Sequence, residues 1–375
     1  MKALPGRKAP VAALAALLAL TAAGLTVAGA SATATQSENP GCAPGVSFLG
    51  FSDALDKRSF AGTAVGGISA LTYAGKDTYH ALVDNGPESG SPARFYTLEA
   101  PLKRSGLGTP EIRDAAFLRD ASGEPFTASD LDGEGLVRER GGDLLVASET
   151  EPSIRRFSRE GELLSKLPVP EKFLVAPEGG GRSNQTFESL TLSPNGRSLF
   201  TANEGYLAPD GETGGGSDRL RLLRYEDRGP GGYEPAEEYY YLAEPGQGVV
   251  EALALSEGEL LVLERGFVPG EGNTVRLFRV SLSGEEDFSD EPSLAKAGTE
   301  PVEKELVVNL ADCPASGAES PGTQENPLLD NYEALSFGPR LPGGERSVLL
   351  ASDDNFNDAQ VTRVVALGLS GGGDR

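Results

Sequence analysis

A short motif in which a glutamate lies two residues before a leucine recurs along this chain. The stretches DGEGL, TFESL, VVEAL and NYEAL end at Leu136, Leu190, Leu253 and Leu335. A fifth stretch, GGISAL, ends at Leu71 and has Ser69 in place of the glutamate. Self-similarity at intervals of roughly 50 to 80 residues favours a repeat architecture. The motif therefore limits the chain to folds that are built from about five similar units.

Each motif opens a group of short apolar segments that predict β-strands. The third unit, for example, contains ESLTLS, SLFTANE, RLRLLRY and EEYYYLA, and 49 Gly and 26 Pro residues separate such segments along the chain. Short apolar segments bounded by turn residues are typical of strands. The last unit has three segments, EALSFGP, SVLLASDD and VTRVVALGL, and GVSFLGF near the N-terminus can supply a fourth. We predict an all-β β-propeller of four-stranded blades, closed by the N-terminal strand. Five signature repeats are visible, and a sixth blade is possible in the long interval before Leu335.

The N-terminal residues predict export from the cell. Lys2, Arg7 and Lys8 precede an apolar, alanine-rich stretch, and ASATA offers a cleavage site near Ala32 or Ala34, which is the pattern of a signal peptide. A membrane anchor is the alternative for this stretch. We expect a signal peptide at 1–34, a mature N-terminal segment at 35–46, the propeller domain at 47–370 and a C-terminal tail at 371–375. The expected protein is secreted, extracellular and monomeric.

Two cysteines, Cys42 and Cys313, are the complete set in the chain. Outside the cell, such a pair is more often a disulfide than two free thiols. The bond would close a loop of about 270 residues and contribute roughly 4–5 kcal/mol in the chain-entropy model. We predict this disulfide, which implies that the N-terminal segment meets a late part of the fold.

The charge balance limits the possible partners. With 33 Lys and Arg against 56 Asp and Glu, the formal net charge is −23. Such a chain repels nucleic acids and anionic membranes and attracts cations. We therefore expect neither a nucleic-acid partner nor a membrane partner. Solubility alone is the alternative reason for the acidity.

Carboxylates are predicted to gather at one mouth of the channel. The first strand of a blade lines the channel and the second returns antiparallel to it, so the start of the first and the end of the second share a face. Glu149 and Glu264 end two of the second strands. Seven other acidic residues in these positions are the candidate metal ligands: Asp84, Glu134, Glu188, Glu204, Glu251, Glu333 and Asp353. Oxygen ligands suit Ca²⁺, whereas Zn²⁺ sites favour Cys and His. We expect Ca²⁺ as the cofactor.

Arginine opens the third strand of each unit: Arg94, Arg155, Arg221, Arg276 and Arg363. Because an arginine fork can bridge two carboxylates, these residues can pair with the acidic residues of their own blade and hold its loops. Alternatively, some carboxylates stay unpaired and bind a cation while arginines face an anionic substrate. The sequence leaves both interpretations open.

Other catalytic classes find little support. His80 is the sole histidine, and it lies inside TYHALVD, which reads as a strand interior, so a Ser-His-Asp triad is disfavoured. The chain has no G-x-S-x-G motif and no P-loop. Tyr239, Tyr240 and Tyr241 are expected on an outer-strand surface, and a partner site is the alternative for these three residues.

Several of these stretches resemble the bacterial family of secreted proteins described as esterase-like activity of phytase, or phytase-like domain proteins. The matching stretches include GGISALTY with ALVDNGP, DLDGEGL with SETEPSIRRFSREG, NQTFESLTLSPNGRSLFTANE and DNYEALSFGPRLPGGERSVLLASDDNF. They extend from about residue 47 to 370. The resemblance implies a propeller and a link to Ca²⁺-dependent hydrolysis of phosphate esters.

The residues and the resemblance together favour a secreted, Ca²⁺-dependent phosphoric-ester hydrolase with a small anionic substrate. A bound metal polarises the phosphate and lowers the pKa of a bound water, and cationic side chains stabilise the developing charge. The candidate catalytic residues are Glu134, Glu333, Arg94, Arg155 and Arg276. The alternatives are a non-catalytic extracellular binding propeller and another metal-dependent propeller hydrolase such as a lactonase.

Overall fold

The computed structural model describes residues 41–84, 91–229, 232–296 and 298–370. The predicted signal peptide, the first residues of the 35–46 segment and the predicted tail at 371–375 lie outside these ranges. Nearly half of the described chain forms short antiparallel strands. Within the described residues, the helical segments are two 3-10 turns, Glu171–Phe173 and Leu310–Asp312. The described part of the chain contains no helix with the length and apolar character needed to cross a membrane.

The strands form five blades, as the repeats predict. In blades 1 to 4 the four strands follow one another in sequence, from the innermost strand to the outermost. Blade 1 contains Ile68–Gly75, Thr78–Val83, Arg94–Glu99 and Glu111–Phe117. Blade 2 contains Gly133–Arg138, Leu144–Ser148, Ser153–Phe157 and Leu163–Lys166. Blade 3 contains Phe187–Leu192, Ser198–Asn203, Arg219–Asp227 and Tyr233–Leu242. Blade 4 contains Gly248–Ala254, Glu259–Val268, Gly272–Ser281 and Lys304–Asn309.

Blade 5 joins the two ends of the described chain. Its strands are Tyr332–Arg340, Arg346–Ser352, Val364–Leu369, Val46–Ser52 and the short edge strand Gly41–Ala43. Val46–Ser52 pairs antiparallel with Val364–Leu369, so the predicted closure by the N-terminal strand is confirmed. Two small ribbons complete the strands: Ser59–Phe60 with Thr63–Ala64, and Leu102–Lys103 with Gly106–Leu107.

Five apolar clusters lie between neighbouring blades and close the ring. Leu136 of blade 2, for example, packs in one cluster with Leu82 of blade 1. The leucines of the repeated motif are all buried in these clusters: Leu71, Leu136, Leu190, Leu253 and Leu335. Burying a leucine side chain contributes about 1.5–3 kcal/mol. The motif therefore marks the inner strand that each blade packs against its neighbours.

The predicted disulfide between Cys42 and Cys313 is present, with its Cα atoms 4.1 Å apart and a sequence separation of 271. Cys42 lies in the edge strand of blade 5, and Cys313 directly follows the 3-10 turn after the last strand of blade 4. Both cysteines are buried. The bond therefore links blade 4 to the blade that closes the ring.

The long interval before Leu335 holds two loops in place of a sixth blade, one on each side of Lys304–Asn309. The first loop covers the outer strand of blade 3. The Val302 N–H donates to the carbonyl of Tyr240, and the ring of Phe288 packs edge-on against Tyr240. The expectation that Tyr239, Tyr240 and Tyr241 form an outer surface is wrong, because all three are buried. The loop covers Tyr240, whereas Tyr239 and Tyr241 lie in the apolar cluster between blades 3 and 4.

Candidate active site at the channel mouth

A β-bulge explains why a glutamate stands at the head of a buried strand. In blades 1, 2, 3 and 5 the pairing of the first two strands skips one residue, which lies two positions before the repeated leucine: Ser69, Glu134, Glu188 and Glu333. A bulged residue is left out of the ladder, and its side chain is directed differently from those of its neighbours. The glutamates can therefore reach the channel mouth while the strand stays buried.

A second group of acidic residues follows the second strands and reaches the same mouth. In each of these blades, the backbone N–H of the acidic residue donates to the carbonyl oxygen of the residue two positions before the bulge, over 2.7–3.1 Å. The pairs are Asp84 with Gly67, Glu149 with Asp132, Glu204 with Thr186 and Asp353 with Asn331. The repeated hydrogen bond places the two groups side by side in four of the five blades.

Blade 4 departs from this pattern by one residue. Its bulge falls at Val250, so Glu251 pairs in register with Leu263. Glu251 is buried, and its Oε1 accepts hydrogen bonds from the N–H groups of Leu190, over 3.1 Å, and Ala252, over 2.9 Å. Burial raises the pKa of Glu251 well above its usual value. The structure therefore holds Glu251 between the inner strands of blades 3 and 4 and does not place it with the other predicted ligands.

Arg265 takes the strand-end position in blade 4 that an acidic residue takes in the others. Its guanidinium lies 3.3 Å from a carboxylate oxygen of Glu204 and 3.2 Å from one of Glu333. The preceding residue, Glu264, instead accepts hydrogen bonds from Tyr241, from the N–H of Glu244 and from Lys304. Arg265 was not predicted from the sequence, because Glu264 precedes it and matches the acidic residue expected at the strand end; the one-residue difference in the bulge of blade 4 is not visible in the motif.

The arginines that open the third strands mostly hold loops. Arg94 donates to the hydroxyl of Tyr96 and the carbonyl of Ala64, and Arg155 donates to Ser153 and Glu151. Arg221 pairs with Asp210 of the preceding loop and with Glu238 of the outer strand of blade 3, and Arg363 pairs with Asp53. Arg276 pairs in register with Glu264 and Asn309.

Eight carboxylates and Arg265 form what we call the mouth cluster: Asp84, Asp132, Glu134, Glu149, Glu188, Glu204, Glu333 and Asp353. Within it, one oxygen each from Asp84, Asp132 and Glu134 lie within 4.8 Å of one another. Two oxygen ligands of a single Ca²⁺ ion, each up to about 2.6 Å from the ion, can be about 5.2 Å apart. The spacing of this group is therefore compatible with ligands that share one cation.

Unpartnered oxygen atoms support the same group as a cation site. Oδ1 of Asp84 and Oδ1 of Asp132 are buried and have no hydrogen-bond partner among the described residues, although buried polar atoms are normally paired. Asp132 is only 8% exposed. Asp132 was not among the predicted ligands, although it lies two residues before Glu134 in the stretch DLDGEGL. It lies just outside the strand Gly133–Arg138, so the strand pattern did not mark it as a channel residue.

Burial and mutual repulsion raise the pKa values of seven carboxylates in the mouth cluster. Burial, followed by the charges of Asp132, Glu204 and Glu333, raises the pKa of Glu149 to about 8. Burial and contact with Asp132 raise the pKa of Asp84 to about 10. Burial is also the main cause of the large upward pKa shifts of Glu134, Glu188 and Asp353. The cluster therefore retains protons at neutral pH unless a cation neutralises it.

The opposing charge of Arg265 limits the upward pKa shifts of Glu204 and Glu333, for which burial is again the main cause. His80 lies in the second strand of blade 1, where its ring packs edge-on against Phe95 at 5.3 Å. Burial lowers the pKa of His80 to about 4. The histidine is therefore neutral at pH 7 and packed, as the sequence indicates.

The fold and this site define a five-bladed β-propeller whose channel opens into a cluster of buried carboxylates. The chain belongs to the phytase-like family that is described as esterase-like activity of phytase, and the family model matches residues 63–356. That span begins before blade 1 and ends within the loop that follows the second strand of blade 5.

Other proteins show more distant similarity. A secreted protein of Arthroderma benhamiae, described as uncharacterised, is 29% identical over 106 residues, and the match spans 22% of this chain and 21% of that protein. PQQ-bound aldose sugar dehydrogenase from Streptomyces coelicolor aligns with a TM-score of 0.35 and 14% identity, covering 82% of this chain and 84% of that one. Virginiamycin B lyase from Staphylococcus aureus aligns with a TM-score of 0.35 and 11% identity, covering 83% and 68%.

Proposed function

We propose that this protein is a secreted, Ca²⁺-dependent hydrolase of phosphoric esters that acts at the mouth cluster. The observation that carries the proposal is the group Asp84, Asp132 and Glu134, whose buried oxygens lie close enough to share one ion and include two without a partner. Family membership supports ester hydrolysis. The disulfide and the relative described as secreted support an extracellular location.

The residues of the mouth cluster have distinct roles in this proposal. Asp84, Asp132 and Glu134 hold the cation. A bound divalent cation polarises a phosphoryl oxygen and lowers the pKa of a bound water. Arg265 faces the phosphoryl group, because its Nε is buried and has no hydrogen-bond partner among the described residues. Such a preorganised donor stabilises charge that develops on the equatorial oxygens.

Two further carboxylates support these residues. Glu333 forms an ion pair with Arg265 over 3.2 Å and accepts a hydrogen bond from the side chain of Asn331 over 3.0 Å, and so fixes the position of the guanidinium. Burial raises the pKa of Glu149 to about 8 in the absence of a cation, and in this proposal Glu149 gives a proton to the leaving alkoxide. The remaining predicted residues, Glu188, Glu204 and Asp353, contribute negative charge around the cation.

The catalytic roles of Arg94, Arg155 and Arg276 stay predictions. The contacts of Arg94 and Arg155 with loops give these two residues a structural task as well. Arg265 is the stronger candidate for contact with the phosphate, because it lies within ion-pair distance of two carboxylates of the mouth cluster.

The test compares variants that differ only in where a carboxylate is removed. Purified protein from residue 35 onward is assayed with Ca²⁺ against a panel of phosphomonoesters, phytate included, with lactones in parallel. Asp132→Asn is expected to abolish phosphoester hydrolysis, and Asp290→Asn, which removes a carboxylate at an exposed loop position, is expected to retain it.

Three outcomes would contradict the proposal. Activity no higher than that of a Glu134→Ala, Glu333→Ala double variant would show that the mouth cluster does not hydrolyse these esters. Hydrolysis of lactones alone would favour the lactonase alternative. Retained binding of an anion without turnover of any substrate would favour the binding propeller.

A further inference from the structure

A cavity of about 420 Å³ adjoins the mouth cluster on the side of blades 4 and 5. Arg265 and Asn331 line it and also contact Glu333 of the mouth cluster. Its volume lies within the usual range of small-molecule sites, about 300–1,000 Å³. A substrate bound with its phosphate beside Arg265 would extend directly into this space.

An extended hairpin of blade 4 builds one wall of the cavity. In the other blades the strand pairing ends near the mouth. In blade 4 the second and third strands stay paired beyond this level, and their last pair is Val268 with Gly272. The loop before blade 5 builds the facing wall, and Oε1 of Gln324 accepts a hydrogen bond from the N–H of Asn273 over 2.7 Å. At Gly272, φ is +107°, and a side chain would collide with Gln324 and the carbonyl of Thr323. The two walls are therefore fixed against each other.

The lining of the cavity is nearly neutral. Among its lining residues, all of which lie in the described part of the chain, Arg265 alone carries a charge. That charge is already paired with Glu204 and Glu333. The polar lining is instead made of carboxamides: Asn273, Gln324, Asn331, Asn357 and Gln360.

Hydrogen bonds orient these carboxamides and leave some of their polar atoms available. Asn357 donates to Oε1 of Gln360 over 2.5 Å, and Gln324 and Asn331 are held through their contacts with Asn273 and Glu333. Nε2 of Gln324, Nε2 of Gln360 and Oδ1 of Asn331 have no hydrogen-bond partner within the described ranges. The cavity thus presents both donors and acceptors in fixed directions.

An exposed aromatic ring stands beside these amides. Phe267 lines the cavity and is 58% exposed, so its ring is available for contact with a ligand in this space. A flat ring can cover the C–H face of a saturated ring, while carboxamides pair with hydroxyl groups, each of which both donates and accepts.

We infer that this cavity binds a neutral polyhydroxylated ring, and that the preferred substrate is the monophosphate of a sugar or cyclitol. This inference rests on the proposed function. A ligand with many phosphates is disfavoured, because the cavity has no lysine among its lining residues and the adjoining mouth cluster brings eight carboxylates against one arginine. The polyol part lies against Phe267 and the carboxamides, and the single phosphate lies at Arg265.

The kinetic test compares glucose 6-phosphate, methyl phosphate and phytate as substrates with Ca²⁺ present. We expect kcat/KM to be highest for glucose 6-phosphate and lowest for phytate. Phe267→Ala should raise the KM for glucose 6-phosphate about tenfold relative to the KM for methyl phosphate, since an aromatic contact contributes about one factor of ten in affinity. Leu306→Ala, which truncates an apolar residue of similar exposure on an outer strand, is the matched control and should leave this ratio unchanged.

A binding test separates this inference from the proposed function. Saturation-transfer NMR with glucose and with myo-inositol should detect binding to the wild-type protein and to Leu306→Ala, and loss of binding to Phe267→Ala. If no ester is hydrolysed but these polyols bind as expected, the proposed function fails and the polyol site stands. Absence of polyol binding, equal binding to both variants, or a preference for phytate would overturn the inference.

Discussion

Removing divalent cations should make the stability of this protein fall as the pH rises. The cause is the mouth cluster, where burial raises the pKa of Glu149 to about 8 from the usual value near 4.5. Because the folded pKa is raised, the stabilisation from the bound proton is complete below the unfolded pKa and is lost as the pH rises through the folded pKa. The affected window therefore runs from about pH 4.5 to about pH 8, and Asp84, with a pKa near 10, extends it upward.

The size of the effect follows from linkage. Each pH unit between the two pKa values changes the free energy of unfolding by about 1.36 kcal/mol per group. From pH 5.5 to pH 7.5, Glu149 alone accounts for a loss of up to about 2.7 kcal/mol. For domains of 150–250 residues, about 1 kcal/mol corresponds to 2–4 °C in melting temperature. The protein in EDTA should therefore melt several degrees lower at pH 7.5 than at pH 5.5.

Calcium should reverse this loss. A ligand that binds only the folded state contributes about 2.7 kcal/mol at a hundredfold excess over its Kd. Because ligating carboxylates must be deprotonated, the stabilisation by millimolar Ca²⁺ should be larger at pH 7.5 than at pH 5.5. Mg²⁺ should act more weakly, since it requires a tighter octahedral arrangement of ligands than Ca²⁺ and gives up its bound water reluctantly.

The assay is thermal and urea unfolding at both pH values in EDTA, in Ca²⁺, in Mg²⁺ and in NaCl at matched ionic strength. Asp132→Asn should raise the melting temperature in EDTA at pH 7.5, because it removes repulsion, and should abolish the response to Ca²⁺. Asp290→Asn, the exposed control, should behave like the wild type in both respects. Identical curves in Ca²⁺ and NaCl, or a stability in EDTA that rises from pH 5.5 to pH 7.5, would refute the reasoning.

Three further predictions concern other parts of the molecule. Mass spectrometry of the unreduced, alkylated protein should find no free thiol, and a Cys42→Ser, Cys313→Ser variant should lose about 4–5 kcal/mol in urea unfolding; two alkylated cysteines in the wild type would contradict the bond. Arg221→Met should lower the free energy of unfolding by about 3–5 kcal/mol, because it leaves the buried carboxylates of Asp210 and Glu238 without their main cation. Arg159→Met, at an exposed position, is the control and should leave the free energy of unfolding nearly unchanged. Equal losses in the two variants would argue against this explanation. Glu251→Gln should keep the full Ca²⁺ response in thermal unfolding, because Glu251 is occupied by the N–H groups of Leu190 and Ala252; a lost response would return Glu251 to the list of ligands.

The sequence alone was sufficient to predict a β-propeller of four-stranded blades and the way its ring closes. The leucine of each repeat marks a buried inner strand, and Gly- and Pro-bounded segments mark the three strands that follow. The incomplete last unit and the spare N-terminal segment together predict the closure of blade 5, and Cys42 and Cys313 predict the bond beside it. These features are local or repeated several times, so each copy supports the reading of the others. The count of five blades rather than six required the structure, because loop length alone does not show whether a segment pairs.

The composition of the site depended on details that a motif does not contain. The same Glu-x-Leu spacing occurs at Glu134 and at Glu251, yet the bulge falls at Glu134 in blade 2 and at Val250 in blade 4. Because a shift of one residue sends a side chain to the opposite face of a strand, Glu134 reaches the mouth cluster and Glu251 does not. The same shift places Arg265 at the mouth in place of Glu264. The sequence determined that carboxylates would gather at one mouth, and the tertiary structure decided which ones, since strand register is set by packing between blades that are distant in the chain.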